Sequence, residues 1–307
     1  MDPRHFDGTR FRNPNGAQVK GFRDLLRWQL TTRAERSPSF VDDVRPSAPP
    51  ERAQEWLVTL INHSTVLLQI DGVNILTDPV WSARVSPVPF AGPKRRRAPG
   101  VRFEDLPPID CVLLSHNHYD HLDLPTVRKI AARHKCEWVA PLGVGNFLEQ
   151  KKIGPVHELD WGQSVAVGSM TIHATPALHF SARTPFDRNR TLWCGYMIEA
   201  ASGLAFFAGD TGFGSHFQTI REQFGEPRLA LLPIGAYEPR WFMGPIHMAP
   251  DEAIQAHSIL NPRTSIAIHH GTFQLADDGI DTAAKRLREN DAPRSFLVLK
   301  NGECAKI

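Results

Sequence analysis

Short apolar runs separated by polar turns dominate the chain from residue 56 onward. The first three runs, at 56–61, 65–70 and 73–76, follow one another closely, and Asp71-Gly72 between the last two is typical of a tight hairpin turn. Further runs with the length and composition of strands occur at 111–114, 138–140, 164–167, 170–174, 193–199, 204–208, 229–234, 265–269 and 295–300. The pattern predicts a chain rich in β-strands.

Helical patterns lie between some of these runs. Apolar side chains recur at helical spacing in the following stretches: 124–134, 143–151, 214–224, 250–260 and 281–289. Strands mixed with helices in this way predict a layered α/β (α+β) protein with two sheets in its interior. Because no boundary is evident after residue 50, residues 51–307 are predicted to form one domain.

Residues 1–50 differ from the rest, because they are rich in arginine, contain few strand-like runs and end in a proline-rich connector. We predict an N-terminal extension with one short amphipathic helix within 21–36. The apolar residues that fall on one face of this helix are Phe22, Leu25, Leu26 and Leu30. Two interpretations stay open: the helix docks on the main domain, or its apolar face meets lipid or lines a substrate groove.

Composition and charge narrow the functional classes. The chain has 307 residues, with 35 Lys and Arg against 33 Asp and Glu, so its formal charge of +2 gives no reason to expect a nucleic-acid partner. No stretch approaches the roughly 18 consecutive apolar residues of a membrane-spanning helix. The four cysteines form no CxxC pair, and the first residues lack the apolar core of a secretory signal. We therefore expect a cytoplasmic protein, with a peripheral position at the inner membrane face as the open alternative.

The densest chemical signal directly follows the apolar run 111–114. His116, His118, Asp120 and His121 lie within six residues, and imidazole and carboxylate ligands suit zinc, with iron or manganese as alternatives. In an extended loop His116 and His118 point the same way. Asp120 and His121, expected at the start of the next helix, would point to a second position nearby. The spacing therefore suggests two divalent ions.

One loop cannot fill two coordination shells, so further ligands must come from elsewhere in the chain. The candidates are His179, Asp210, His247 and His269, and all except His247 come just after an apolar run. A single buried histidine is more often structural than a ligand. The dense first cluster favours the ligand interpretation for this set.

The order HxHxDH, a distant histidine, GDTG and a further distant histidine resembles the metallo-β-lactamase superfamily, over residues 52–307. SHNHYDHLD (115–123) and IGAYEPRWFM (234–243) resemble more closely the N-acylphosphatidylethanolamine-hydrolysing phospholipase D family and its bacterial relatives. The resemblance implies an αββα sandwich, with two central mixed sheets and helices on the outer faces.

The same resemblance assigns roles residue by residue. It implies a first metal position at His116, His118 and His179, a second at Asp120, His121 and His269, and a bridging Asp210. His247 matches a histidine that faces the substrate, and Tyr119 and Asp78 match pocket or supporting positions. His270 stands where the animal enzymes have tryptophan, which leaves His269 and His270 as competing ligands, and the match places the ligand first. Trp241 and its apolar neighbours are either ordinary packing or the wall of an acyl-chain groove.

Charge counting favours a phosphodiester substrate. Two divalent ions, the carboxylates of Asp120 and Asp210 and one bridging hydroxide leave a single net positive charge, which matches the single negative charge of a phosphodiester. We expect hydrolysis at phosphorus, with Asp120 orienting the attacking hydroxide and His247 the leading candidate to assist the leaving alkoxide. The resemblance makes N-acylphosphatidylethanolamine, cleaved to N-acylethanolamine and phosphatidate, the expected substrate.

Alternatives remain at this point. The same site polarises carbonyl groups, so a lactone or another carboxylic ester is a second substrate class, and a non-enzymatic protein that keeps its metal site is a third interpretation. A homodimer stays open as the oligomeric state. The basic run 94–97 is interpreted as a solvated loop or as a contact with an anionic lipid surface.

Overall fold

Two seven-stranded sheets form the centre of the computed structural model, which describes residues 5–13 and 19–307. The strands of the described residues are β1 (Leu57–Asn62), β2 (Thr65–Ile70), β3 (Val73–Thr77), β4 (Cys111–Leu113), β5 (Glu137–Pro141), β6 (Val156–Leu159), β7 (Ser164–Val167), β8 (Met170–Thr175), β9 (Gly195–Ala200), β10 (Gly203–Phe207), β11 (Leu229–Pro233), β12 (Thr264–Ile268), β13 (Phe296–Leu297) and β14 (Cys304–Lys306).

The strand orders are β14-β1-β2-β3-β4-β5-β6 in the first sheet and β13-β12-β11-β10-β9-β8-β7 in the second. Each sheet is mixed. Strands β3 to β6 and β10 to β13 pair in parallel, and the other pairings are antiparallel. Parallel neighbours end at the same edge of their sheet. The residues that follow β3 and β4 therefore lie at one edge of the first sheet, and those that follow β10 and β12 lie at one edge of the second.

The described part of the chain contains seven α-helices. They are α1 (Phe22–Thr31), α2 (Leu124–Arg133), α3 (Val144–Glu149), α4 (His216–Phe224), α5 (Arg240–Met243), α6 (Pro250–Leu260) and α7 (Thr282–Glu289). Apolar side chains of α2 and α3 pack on the first sheet, and those of α4, α6 and α7 pack on the second. A third apolar cluster fills the space between the sheets. The predicted αββα sandwich is therefore confirmed.

The predicted elements occur with small shifts at their ends. In the hairpin between β2 and β3, Asp71 and Gly72 both have positive φ, at 50° and 80°, which is the conformation of a type I′ turn. The sequence patterns missed β6, β14 and α5, because these elements are short and carry few fully buried side chains. None of the helices in the described part of the chain has the length and apolar character needed to cross a bilayer.

Helix α1 is shorter than the predicted segment 21–36. The Asp24 side chain accepts a hydrogen bond from the backbone N–H of Gly21 at the start of the helix. At its end, the hydroxyls of Thr31 and Thr32 donate to backbone carbonyls one turn earlier, and Thr32 has extended backbone angles. Such back-bonding by threonine weakens a helix, which explains why α1 ends here.

Helix α1 docks on the domain, whereas contact of its apolar face with lipid stays a prediction. Trp28 docks on the domain, since its Nε1 donates to Asp277 at 2.9 Å and its ring lies 4.9 Å from that of Phe242. In the predicted apolar stripe Leu25 is half-buried, and the other residues are open to solvent. These exposed residues are Phe22, Leu26 and Leu30.

Two of the four residues in the basic run 94–97 are neither solvated nor available to a lipid surface. Arg95 and Arg97 are buried. Arg97 pairs with Asp43 and Asp281 and donates to the carbonyl of Gly271. These arginines tie separate segments together, and a run of like charges in the sequence gives no sign of such buried partners.

Candidate metal centre

The loop after β4 carries four of the predicted ligands, but not in the arrangement that the sequence suggested. Asp120 and His121 lie in a turn that precedes α2, not at the start of the helix. The helix begins only at Leu124, with Asp123 at its N-cap position. Asp120 and His121 nevertheless join a second group of side chains, and the two groups are adjacent, since the ring of His121 lies 4.2 Å from that of His116.

The first group joins the loop to a histidine that follows β8. His116 Nε2 lies 2.8 Å from His118 Nδ1, which in turn lies 3.2 Å from His179 Nε2. Around a tetrahedral zinc with Zn–N distances of 2.0–2.1 Å, nitrogen ligands are about 3.3 Å apart. The three ring nitrogens are therefore spaced as ligands of one ion would be.

The second group contains His63, Asp120, His121 and His269. Asp210, which follows β10, lies between the groups. Its Oδ2 is 3.1 Å from Nε2 of both His121 and His269. The same oxygen is 4.0 Å from Nε2 of His116 and 3.8 Å from Nε2 of His179. One carboxylate oxygen thus approaches nitrogens of both groups.

Several buried atoms at this centre have no hydrogen-bond partner among the described residues. They are Nε2 of His121, Nε2 of His269, Oδ1 of Asp210 and Nδ1 of His247. Buried polar groups nearly always have partners, so a cluster of exceptions needs an explanation. Imidazole and carboxylate donors without partners, converging on one place, fit divalent cations such as zinc, and the same donors also suit iron or manganese.

Neighbouring groups fix the orientation of the ligand rings. Asp78 accepts hydrogen bonds from His121 Nδ1 at 2.6 Å and from the backbone and hydroxyl of Ser115 at 2.7 and 2.6 Å. His179 Nδ1 lies 3.0 Å from the carbonyl oxygen of Ile246, to which it donates. Because Nδ1 of both histidines carries the proton, Nε2 is left with a lone pair for an ion.

Burial lowers the pKa of histidines in both groups, but nearby carboxylates outweigh this effect at one of them. Burial lowers the pKa of His118 to about 3 and of His179 to about 4, so both rings are neutral. Burial opposes protonation of His269 as well, but Asp210 and Asp120 override it and raise the pKa to about 9. Asp210 and Asp120 thus favour a positive charge beside them, which divalent ions would supply.

A cavity of about 450 Å³ opens onto the cluster. His118, Asp120, Asp210 and His247 line its inner end. The rest of the wall is mainly apolar, and it includes residues of α1 and α5, namely Phe22, Leu25, Trp28, Phe242 and Met243. Burial holds the pKa of His247 well below its usual range, so this imidazole is neutral where it faces the cavity.

Three residues singled out in the sequence lie away from this cavity. Tyr119 lines a different cavity, and its hydroxyl donates to the carbonyl of Arg183 at 2.9 Å. Trp241 lies at the surface, 36% exposed, with the guanidinium of Arg27 over its ring. His270 belongs to neither metal-ligating group, whereas His269 faces Asp210. The structure thus does not bring Tyr119 or Trp241 to the ligand cluster.

His63 belongs to the centre but was missed from the sequence. It is 1% exposed, and its Nε2 lies 3.1 Å from Asp120 Oδ2. Burial, together with the nearby His269, lowers its pKa to about 3. A signal was present, because His63 directly follows β1, just as His269 directly follows β12.

Comparison with known proteins identifies the family. A sequence profile described as the beta-lactamase superfamily domain matches residues 73–270. The chain belongs to the β-lactamase superfamily. This membership confirms the resemblance that the HxHxDH motif suggested.

Two relatives show how far the similarity of this β-lactamase superfamily member extends. It is 43% identical over 228 residues to the N-acyl-phosphatidylethanolamine-hydrolyzing phospholipase D 1 of Caenorhabditis elegans, covering 71% of this chain and 64% of that protein. It is 40% identical over 281 residues to an uncharacterised protein of Mycobacterium bovis, covering 89% of this chain and 75% of that protein. The chain therefore spans less than two thirds of the length of the nematode protein.

A solved structure supports the fold of this superfamily member. The possible metal-dependent hydrolase from Veillonella parvula matches with a TM-score of 0.68 at 18% identity, over 82% of this chain and 100% of that one. At this identity the match bears on the fold alone.

Proposed function

We propose that this superfamily member is a dinuclear-metal hydrolase that cleaves the phosphodiester of a lipid in a reaction of the phospholipase D type. One observation carries the proposal. The side chains that could hold two ions form the inner end of a cavity whose remaining wall is mainly apolar. A substrate with a charged reacting group and a long apolar part fits such a cavity.

Two ions would be held by the first group of three histidines, by Asp120, His121 and His269, and by Asp210 between them. When bound, such ions lower the pKa of water and stabilise charge on phosphoryl oxygens. The chain's own residues supply orientation. Asp78 holds the ring of His121, and the carbonyl of Ile246 holds that of His179. Ligands fixed in this way need little rearrangement during the reaction.

We propose that His247 acts on the substrate, although with His179 and Asp210 it also forms a group that could hold an ion. The residue lines the cavity, and its buried Nδ1 lies 3.9 Å from Asp210 Oδ2 without a hydrogen-bond partner among the described residues. A neutral imidazole there can donate a hydrogen bond to the leaving oxygen and so stabilise the charge that develops on it. Asp120, which also lines the cavity, would orient the attacking water.

The proposed substrate class is a glycerophospholipid such as N-acylphosphatidylethanolamine, with N-acylethanolamine and phosphatidate as products. The name of the C. elegans relative supports this choice. The cavity supports it independently, because Phe180 and Met243 line the space next to His118 and His247 and could pack against an acyl chain.

The proposal includes peripheral contact with a membrane, where such a substrate resides. Phe22, Leu26 and Leu30 recur at intervals of four residues on α1 and are 71%, 43% and 82% exposed. Phe22 also lines the cavity, so the exposed stripe adjoins the route by which a lipid would enter. Burying such a stripe in the interfacial region of a bilayer is favourable. Cytoplasmic localisation and a homodimer stay predictions.

The test uses protein loaded to full metal occupancy and a matched His116→Ala variant. Both are incubated with N-acylphosphatidylethanolamine in mixed micelles, with a soluble phosphodiester and with a panel of lactones and carboxylic esters. We expect N-acylethanolamine to be released by the wild type alone. Faster turnover of a lactone than of any phosphodiester would instead support the ester class, and equal inactivity of both folded proteins on all substrates would support a non-enzymatic role.

A further inference from the structure

His63 contacts two proposed metal ligands in different ways. Its Nε2 lies 3.1 Å from Asp120 Oδ2, within hydrogen-bond distance. Its ring lies against that of His269, with 4.1 Å between the ring centroids. The side chain is therefore packed behind the second group of ligands.

The contacts with carboxylates distinguish His63 from the ligands themselves. The Nε2 atoms of His121 and His269 approach both carboxylates. Each of them lies within 3.4 Å of an oxygen of Asp120 and 3.1 Å from an oxygen of Asp210. Among the described residues, the carboxylate that lies within 4.0 Å of His63 is that of Asp120. An imidazole on the same ion would approach both carboxylates, as the other two do. His63 therefore lies next to the ion position without being a ligand of the ion.

The backbone holds His63 and His269 in a fixed relation. The N–H of His269 donates to the carbonyl of His63 at 2.9 Å, and the N–H of His63 donates to Thr272 Oγ1 at 3.0 Å. Both histidines have left-handed backbone angles, with φ of 48° and 58°. Such angles are uncommon outside glycine and persist where the surrounding structure enforces them.

The protons in this arrangement can be assigned from the partners. Asp120 must be ionised to bind a cation and then accepts hydrogen bonds only, so His63 Nε2 carries the proton and its Nδ1 has a lone pair. His269 would have the opposite tautomer, since as a ligand its Nε2 would give its lone pair to the ion, which leaves the proton on Nδ1. Both Nδ1 atoms are buried and have no partner among the described residues.

A small cavity adjoins both rings. It has a volume of about 10 Å³, and its lining includes His63, His269, His270 and Asp278. A space of this size in a polar surrounding holds about one water molecule. A water there would accept a hydrogen bond from His269 Nδ1 and donate one to His63 Nδ1, which matches the two tautomers.

We infer that His63 is a positioning residue that holds Asp120 through its Nε2–H, and that one buried water links it to His269. The inference rests on the proposed two-ion centre. The hydrogen bond fixes the carboxylate of Asp120, which shares the inner end of the cavity with His247. His63 therefore acts through Asp120 and not on the substrate.

The test compares three variants. His63→Leu removes the donor at similar volume, and His63→Gln keeps an N–H that can reach Asp120. His257→Leu is the matched control, because His257 is a buried histidine that bonds Ser265 outside the centre. The measurements are metal ions per chain, ion affinity by chelator competition, the visible spectrum after cobalt substitution, and kcat and KM on a soluble phosphodiester.

We expect two ions per chain in all three variants. In His63→Leu the affinity for the more weakly held ion falls about 10- to 100-fold, the cobalt spectrum changes and kcat falls without a change in KM. His63→Gln recovers most of each property, and His257→Leu matches the wild type. Loss of one ion in both His63 variants would make His63 a ligand and overturn the inference. Wild-type affinity and spectrum in His63→Leu would overturn it as well.

The design also covers a variant that does not fold and a failure of the proposed function. If His63→Leu does not fold, His63→Asn, whose shorter amide does not reach Asp120, replaces it in the comparison with His63→Gln. If the wild type turns over no phosphodiester, the proposed function fails, whereas ion affinity and the cobalt spectrum still decide the role of His63.

Discussion

The side chain of Asn13 bonds both backbone polar groups of His179. Asn13 Nδ2 donates to the carbonyl of His179 at 2.9 Å, and the N–H of His179 donates to Asn13 Oδ1 at 3.1 Å. Trp193 Nε1 donates to the same oxygen at 3.1 Å. A residue of the N-terminal extension thus fixes the backbone of a proposed metal ligand, 166 positions further along the chain.

Asn13→Ala should therefore weaken both the fold and the metal centre. Two buried backbone groups of His179 lose their partner, which costs about 1–3 kcal/mol in the free energy of unfolding. Urea unfolding measures this loss, and chelator competition should show weaker ion binding. Asn301→Ala is the control, because Asn301 is a buried asparagine that bonds the carbonyl of Ala98. If both variants bind metal equally well, Asn13 does not support the centre.

Asp78→Asn should lower metal affinity about 10- to 100-fold, because the amide cannot hold His121 in the required tautomer as the carboxylate does. Asp123→Asn is the matched control. Asp123 is also buried and accepts bonds from backbone and hydroxyl groups, but these belong to Trp81, Ser82 and Thr126. We expect Asp123→Asn to reduce stability and to leave ion affinity unchanged. Equal affinities in the two variants would refute the role of Asp78.

His216 should make the metal-free protein less stable in mild acid. Burial lowers its pKa to about 3, far below the value of about 6.5 in the unfolded chain. The unfolded state therefore binds more protons than the folded state between these values. Stability from this residue is fully present above about pH 6.5 and is lost as the pH falls toward about 3.

The measurement is urea unfolding in chelator at about pH 7 and about pH 5. Replacing His216 with leucine should reduce the loss of free energy between these conditions by about 2 kcal/mol relative to the wild type. His157→Gln, at a position whose side chain is 39% exposed, controls for the general loss of a histidine. The same pH dependence in His216→Leu and the wild type would contradict the prediction.

The apolar cavity wall predicts a separation between lipid and soluble substrates. Leu25 lines the cavity, and Leu25→Asp would place a charge where an acyl chain is proposed to pack. We expect its KM for a long-chain substrate to rise at least about tenfold, with activity on a short soluble phosphodiester retained. Gln29→Asp changes an exposed position of the same helix, outside both the cavity lining and the apolar stripe, and is the control. A similar loss on both substrates would argue against an acyl-binding wall.

The period and length of apolar runs predicted most of the sandwich, because both sheets are built from buried strands with clear ends. The ligand cluster was predictable for a related reason, since His116, Asp210 and His269 follow such strands closely. Arg97 and Asn13 were not predictable. Their partners, among them Asp281 and His179, lie far away in the sequence, and local patterning carries no information about long-range hydrogen bonds. His63 falls between these cases, because its position after β1 was visible but nothing nearby marked it.

Elemental analysis of wild-type protein and the Asp210→Ala variant, side by side after loading with zinc, tests the central claim most directly. Asp210 Oδ2 approaches nitrogens of both histidine groups, so its removal should weaken both ion positions. We predict two ions per chain in the wild type and one or none in the variant. Two ions retained by Asp210→Ala, or a folded wild type that takes up none, would contradict the account.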